Sequence, residues 1–360
     1  MLSCVLGALV TLISLLIGAI MALVTPKENV TGGAPPRKCA YVFLVMLGDA
    51  YTHGALVTAG SLRARGTKHD IVFMVTPDVS EKARAAMRIL GHVREVPLLE
   101  FPCRPLATEK QRTKLYPWAS KSFTKWNALA LTDYDKVLVC DADMVFLPPA
   151  DGKPTTEAGL PVDTTGDPDE LFNLNAPAAC FANAWGKPTL RTGLPNPYFA
   201  AHRKKHSDAR ELPHGARVSA DTAVRALAQP TFTALTALTL LRPSAADYEG
   251  LLDMVRAQVA KHGQYGFHHR LRASTPEEAA IVEYFARVRR VPWTHIHQRF
   301  EAIPRKKWGV RGAVAFHYLA SHPWEISEDE WPDLRAWWRA ARGIAADHPD
   351  LAEWLQPPEK

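Results

Sequence analysis

Two aspartates one residue apart, Asp141 and Asp143, break an otherwise apolar run from Val137 to Phe146. Acids flanked by buried strands cost desolvation energy, so they call for a role. At the carboxyl end of a strand in an open α/β sheet they would stand on the edge where such sheets bind ligands. Paired carboxylates there can hold a hard cation, Mg²⁺ or Mn²⁺, which in turn neutralises a diphosphate. Asp-x-Asp by itself is frequent on protein surfaces, and the apolar setting is what gives this pair its weight.

His317 follows the apolar stretch Ala313 to Phe316 and so emerges from a strand end, where an imidazole could complete a metal site begun by carboxylates. With fourteen histidines in the chain, a hydrogen-bonded structural role competes with that reading. Glu277 and Glu278 divide the same way. Thr275, Pro276 and Glu278 have the pattern of an N-cap, a first helical residue and a capping-box acid, so structural and chemical roles both stand open.

The elements that must position these groups alternate. Ala40 to Leu47 is a nearly continuous apolar run ending at Gly48, the pattern of a strand buried on both faces, and Ala55, Leu56, Ala59 and Leu62 then recur at helical spacing. Ile71 to Val75 gives a second buried strand, Ser80 to Leu90 a helix with Ser80 as N-cap, and Val137 to Cys140 a third strand. This alternation predicts an α/β fold with a largely parallel central sheet flanked by helices. Residues 148–169 and 186–214 lack periodicity and read as long loops suited to acceptor recognition. Ser327 and Glu330 form a capping-box pattern before a helix carrying Trp331, Leu334, Trp337 and Trp338, whose tryptophans should pack it onto the domain.

The chain of 360 residues is 47% hydrophobic and 22% charged, enough to bury a substantial core. Its net charge of +6 sits partly in short runs, Arg203 to Lys205 and Arg287, Arg289 and Arg290, which read as solvated loops. No nucleic-acid reader motif accompanies that charge, so no nucleic-acid partner is expected. The five cysteines are widely spaced and give no disulfide framework; Cys140 and Cys180 read as core residues. Leu2 to Val24 carries no charge and exceeds the roughly 20 residues that cross a bilayer, which predicts one transmembrane helix, residues 1–24, followed by a linker, residues 25–38. Lys27, Arg37 and Lys38 after it bias the enzyme toward the cytoplasmic side, with a Golgi or ER lumenal placement as the alternative. A catalytic domain over 39–326 and a helical tail over 327–360 complete the expected organisation.

Four ordered segments carry a family resemblance: Gly48-Asp49-Ala50-Tyr51-Thr52-His53-Gly54-Ala55-Leu56-Val57, Ser122-Phe123-Thr124-Lys125-Trp126-Asn127, the Asp-Ala-Asp, and His317-Tyr318-Leu319-Ala320-Ser321-His322-Pro323-Trp324. Together they resemble glycosyltransferase family 8, the glycogenin-like enzymes, over about residues 40 to 338, and look closest to the baculovirus and large-DNA-virus branch. The resemblance implies a GT-A fold, a UDP-sugar donor, Mn²⁺ (or Mg²⁺) and retention of anomeric configuration. It implies Asp141, Asp143 and His317 as metal ligands, and Leu47, Asp49 and Tyr51 at the nucleotide, with Tyr51 stacked on uracil. Lys125 is implied beside the donor sugar and the first aspartate, and His322 at the diphosphate. Glu277 and Glu278 stand where the family usually has Asp-Gln or Glu-Gln facing the transferred sugar. The chain departs from the family at Gly48 (often Asn), Ala320 (usually Gly) and His322 (usually Lys), and Leu235-Thr236-Ala237 replaces an Asn-x-Gly segment.

The function expected is metal-dependent transfer of a hexosyl unit from a UDP-sugar to a glycan, protein or lipid acceptor, with a homodimer left open. The alternatives are a non-catalytic sugar-nucleotide or carbohydrate-binding protein and a sugar-nucleotide hydrolase.

Overall fold

The computed structural model describes residues 38–103, 118–148, 166–181, 213–227, 234–262, 275–304, 313–318, 322–331 and 333–358. The expected transmembrane segment, the linker up to residue 37, most of both long loops, Arg203 to Lys205 and Ala320 lie outside them. No helix among the described residues is long and apolar enough to cross a membrane.

In chain order the elements are β1 (Cys39–Val45), α1 (Thr52–Ala64), β2 (Asp70–Val75), α2 (Glu81–Leu90), β3 (His92–Glu95), a 3₁₀ segment (Ser122–Ala130), β4 (Lys136–Cys140) and β5 (Met144–Phe146). They continue with β6 (Ala178–Cys180), β7 (Arg217–Val218), α3 (Ala220–Leu227), β8 (Leu235–Leu241), α4 (Ala245–His262), α5 (Pro276–Glu283), β9 (Trp293–His295), β10 (Ala315–His317) and α6 (Leu334–Asp347). The main sheet runs β3-β2-β1-β4-β8-β6-β9-β7, and β5 and β10 form a separate antiparallel ribbon. The links β3-β2, β2-β1 and β1-β4 are parallel, as expected from the βα alternation. Beyond β4 the sheet is mixed: β8 is antiparallel to both β4 and β6, while β6 and β9 are parallel.

Side-chain alternation sorts each central strand between two cores. Tyr41, Phe43, Leu138 and Cys140 face a core shared with α1, α2 and α6; Ala40, Val42, Val137 and Val139 face a second core with Trp126, α4 and α5. Both faces are therefore covered, which is why the strands read as continuous apolar runs. Ser80 caps α2, its Oγ accepting the Ala83 N–H at 3.1 Å. Trp337 and Trp338 are fully buried in the first core, as the sequence suggests, and Trp331 is exposed.

One expectation is corrected. The C-terminal helix starts at Leu334 after Asp333, and Ser327 and Glu330 close a turn instead, the Glu330 N–H donating to the Ser327 carbonyl at 3.1 Å. Pro332 disfavours helical backbone at Trp331, which breaks the pattern before it can propagate. Arg287, Arg289 and Arg290 are exposed, as expected, and pair with Glu283, Asp247 and Asp221 respectively.

Candidate functional site

β4 ends at Cys140, so Asp141 is the first residue past a strand at the middle of the sheet. Its N–H donates to the Ala237 carbonyl of β8 at 2.9 Å, which holds the turn against the neighbouring strand. The chain then re-enters extended structure as β5, whose partner is β10 with Met144 opposite His317. This ribbon brings together two segments far apart in sequence. The Tyr318 N–H donates to the Asp143 carbonyl at 2.9 Å and fixes the crossing.

Helix α1 clamps the same turn from below. Thr58 Oγ1 lies 3.1 Å from the Ala142 carbonyl and 2.6 Å from that of Met144, and Ser61 Oγ accepts the Phe146 N–H at 3.0 Å. The approach is close at Gly54, where a Cβ would stand 2.3 Å from the Ala142 carbonyl oxygen and 2.5 Å from the Trp324 ring. No larger residue fits there without moving the aspartate turn.

Asp141, Asp143 and His317 each point one ligand atom into a common space, all within 4.8 Å of one another. His317 Nε2 is 3.4 Å from Asp143 Oδ1 and 3.7 Å from Asp141 Oδ2. These separations are too long for good hydrogen bonds and near the ~3 Å between adjacent ligands of a small octahedral cation. Two carboxylates and an imidazole, with the carboxylates partly exposed and the imidazole buried, suit Mn²⁺ or Mg²⁺. Burial alone would lower the pKa of His317, but Asp143 and Asp141 reverse that and raise it to about 9. Burial works against ionised Asp143, yet His317 holds its carboxyl below the usual range.

Behind Asp141 lies a second polar group. Lys125, from the 3₁₀ segment, is 7% exposed. Its Nζ donates to Asp141 Oδ1 at 2.5 Å and to the Thr236 carbonyl at 2.7 Å. Burial opposes its charge, but Asp141, with Glu277 and Glu278 further off, lifts its pKa above the ordinary lysine value. Glu277 Oε2 accepts from Ser122 Oγ and Oε1 from Thr275 Oγ1, both at 2.6 Å. Glu278 Oε1 accepts from the Thr236 N–H and hydroxyl, each at 3.2 Å, while Oε2 accepts the Thr275 N–H at 3.3 Å, completing a capping box for α5. The capping-box reading of Glu278 thus holds. Burial and the neighbouring Glu277 raise its pKa to about 8, so it is mostly protonated at neutral pH.

On the outer side, Leu47 (φ 62°) and Gly48 (φ 83°) turn the chain sharply after β1. The left-handed backbone at Leu47 is a strained conformation of the kind concentrated at functional loops. Asp49 does not face the metal cluster; its carboxylate accepts from the Ser80 N–H at 2.8 Å and from Ser80 Oγ at 2.5 Å. Tyr51 precedes α1 and meets His322 and Trp324 edge-on, with its hydroxyl 3.0 Å from His322 Nε2. His322 stacks on Trp324 with centroids 5.0 Å apart, and its Nδ1 lies 3.1 Å from Glu325 Oε1. Burial, with Asp143 and Asp141 nearby, raises the Tyr51 pKa, so the phenol stays neutral.

Asp141, Asp143, His317, Lys125, Glu277 and Glu278 are therefore one connected group, and Tyr51 with His322 forms its outer wall. Sequence reasoning passed over Ser122 and Thr236 as partners of the glutamates, and Trp324 as the platform under His322. Single polar residues beside motifs carry no spacing signal, and only the tertiary pairing reveals them.

No family model matches the chain. A segment of 142 residues is 30% identical to an uncharacterised protein of Acanthamoeba polyphaga mimivirus, covering 39% of this chain and 42% of that protein. UDP-glucuronate:xylan alpha-glucuronosyltransferase 1 of Arabidopsis thaliana is 27% identical over 140 residues, covering 38% of this chain and 19% of its own length. Glycogenin-1 of Oryctolagus cuniculus is 33% identical over 100 residues, covering 28% of this chain and 29% of its own. The chain is thus similar in part to a glycogenin and to a UDP-glucuronate-dependent glycosyltransferase, in line with the resemblance its four segments carry. It spans less than half the length of these relatives. Among solved structures, galactosyltransferase LgtC with donor and acceptor sugar analogs aligns over 86% of this chain and 95% of that one, at 14% identity and a TM-score of 0.46, a distant likeness that says nothing of chemistry.

Proposed function

We propose that this family 8 relative is a GT-A, metal-dependent, retaining glycosyltransferase that moves a hexosyl unit from a UDP-sugar to an acceptor. The observation that carries the reading is the convergence of Asp141, Asp143 and His317 on one space at the centre of the sheet edge, backed by Lys125 on Asp141. These three side chains would hold Mn²⁺ or Mg²⁺. Such a cation supplies charge to the diphosphate as the bond to the sugar breaks.

The remaining roles fall to the chain's own groups. Lys125 fixes Asp141 Oδ1, leaving Oδ2 toward His317. Tyr51 and its aromatic neighbours offer a face for uracil, and His322 stands where it can meet the diphosphate. Retention requires either a carboxylate nucleophile or attack by the acceptor on the face that the leaving group vacates. Both oxygens of Glu277 and of Glu278 are already hydrogen-bonded, and Glu278 is mostly neutral at pH 7. That supports same-face attack. The two glutamates then shape the sugar pocket rather than form a covalent bond.

The proposed catalytic domain is residues 39–326 with a helical tail over 327–360, and the charge-free segment 2–24 supports attachment to a membrane. The deciding experiment is a transfer and hydrolysis screen of a UDP-sugar panel with Mn²⁺, Mg²⁺ and chelator. Sugar transfer that chelator abolishes supports the proposal. Release of free sugar in the presence of every acceptor class points to a hydrolase, and UDP binding without turnover to a binding protein.

A further inference from the structure

Glu301 belongs to none of the motifs above. It is fully buried, and neither carboxylate oxygen has a hydrogen-bond partner among the described residues; the Cys180 thiol, a weak donor, is near enough to favour the ionised form. A buried carboxylate left this way costs several kcal/mol unless something compensates it. The matching deficit lies on His317, whose Nδ1 is also buried without a partner among the described residues.

Backbone register places the two together. Ala302 bridges Phe316 in parallel, the Ala302 N–H donating to the Ala315 carbonyl at 3.0 Å and the His317 N–H to the Ala302 carbonyl at 2.9 Å. Glu301 ends a 3₁₀ turn, Gln298–Glu301, and directly precedes this bridge, so its side chain springs from the residue next to the backbone that holds His317. The charges register the same proximity: burial raises the Glu301 pKa well above the carboxylate range, and His317 is the largest influence pulling it back.

We propose that Glu301 is a positioning residue that accepts a hydrogen bond from His317 Nδ1–H, directly or through one water, and so keeps Nε2 turned toward Asp141 and Asp143. Carboxylates behind metal-binding histidines fix the tautomer and ring orientation and raise ligand basicity. The proposal rests on His317 being a ligand only for its consequence, not for the pairing itself.

Two measurements on the full-length chain separate these. The first uses metal-free protein with ¹⁵N-labelled histidine, the His317 signals being assigned by their loss in His317→Gln. The wild type should show a slowly exchanging Nδ1 proton far downfield, displaced upfield in Glu301→Gln and lost to exchange in Glu301→Leu. The second is Mn²⁺ titration, where Glu301→Leu should weaken binding about 10–100-fold and Glu301→Gln less, with circular dichroism unchanged. An Nδ1 resonance identical in wild type and Glu301→Gln overturns the pairing, and that comparison stands even if the leucine variant does not fold. Mn²⁺ affinity unchanged in a folded Glu301→Leu overturns the positioning role. If wild type binds no Mn²⁺ while the resonances still differ, the pairing holds and the metal reading of His317 falls.

Discussion

On one side of Asp141 the polar groups satisfy one another, and on the other they do not. Lys125 and Glu277 are buried, Glu278 is half-buried, and all three are hydrogen-bonded among Ser122, Thr236 and Thr275 with their charges or protons accounted for. Asp143 and His317 face each other at 3.4 Å, and Asp141 Oδ2 stands 3.7 Å away, with room between them. The first group is finished by folding. The second is a set of donors that a cation would complete, so substitutions in the two should break different things: binding and turnover in one, stability and its pH dependence in the other.

The largest effect is expected at the open cluster. Asp143→Ala should lower transfer by at least about 100-fold, a loss typical of removing one strong electrostatic contact to the transition state. Thermal denaturation should stay close to wild type, because the side chain lies at the sheet edge rather than in a core. Undiminished turnover in excess chelator would remove the metal from the scheme altogether. Binding should also be pH-dependent. A metal takes neutral imidazole, and His317 in the free protein holds its proton up to about 9. Mn²⁺ affinity should therefore rise about tenfold per pH unit from pH 7 toward 9, with release of about one proton. Calorimetry in buffers of different ionisation enthalpy reads that proton directly.

The hinge between the two groups comes next. Lys125→Met keeps the length of the side chain and removes its charge, leaving Asp141 Oδ1 and the Thr236 carbonyl without their donor. Breaking a fully buried pair costs about 3–5 kcal/mol, but the Asp141 side chain is 34% exposed, so about 2 kcal/mol is expected here. Urea denaturation measures it. A cost near zero would mean that Lys125 serves chemistry alone.

Within the closed group, Glu278→Gln should change how stability varies with pH. Folded Glu278 keeps its proton up to about 8, whereas the unfolded chain releases it near 4.5. Between those values the folded state holds more protons, so stability falls as pH rises, and above 8 this dependence ends. Glutamine removes the titration. The variant should gain on wild type by on the order of 1–3 kcal/mol from pH 5 to pH 8, minus a constant loss where its amide meets the Thr275 N–H. Parallel stability curves for the two proteins across that range would show Glu278 to be ionised throughout.

The contrast also explains what was legible in the chain. Asp141 and Asp143 stood out because acids inside an apolar run violate the pattern of a buried strand, and β1, α2 and β4 stood out because their periodicities are long and clean. His317 could be nominated from its strand but not located, since pairing of β5 with β10 joins segments more than 160 residues apart and periodicity carries no such information. Ser122 and Thr236 were invisible because a hydroxyl that satisfies a glutamate looks like any surface hydroxyl until the partner is known. Ser327 and Glu330 misled for a related reason: a capping pattern is local, and Pro332 overrode it.

The effect at the outer wall, at Tyr51, is expected to divide between a ring and a hydroxyl, the hydroxyl giving the smallest change of all. Its ring and its hydroxyl can be separated by two substitutions, because the ring meets Trp324 and the hydroxyl meets His322. Tyr51→Ala removes the aromatic surface; stacking of a base on an aromatic ring is worth about 1–3 kcal/mol in nucleic-acid systems, which would weaken UDP binding by roughly 5- to 150-fold. Tyr51→Phe keeps the ring and loses one hydrogen bond between part-buried groups, a change of about 0.5–1.5 kcal/mol that falls on the arrangement of His322 more than on the nucleotide. UDP affinity at fixed Mn²⁺ should therefore drop strongly for alanine and by only a few fold for phenylalanine. Equal, large losses in both would place the hydroxyl, through His322, in contact with the diphosphate and remove the ring from the base. No loss in either would mean that Tyr51 only braces Trp324 against the aspartate turn, a packing role whose signature would be a lowered melting temperature in the alanine variant alone.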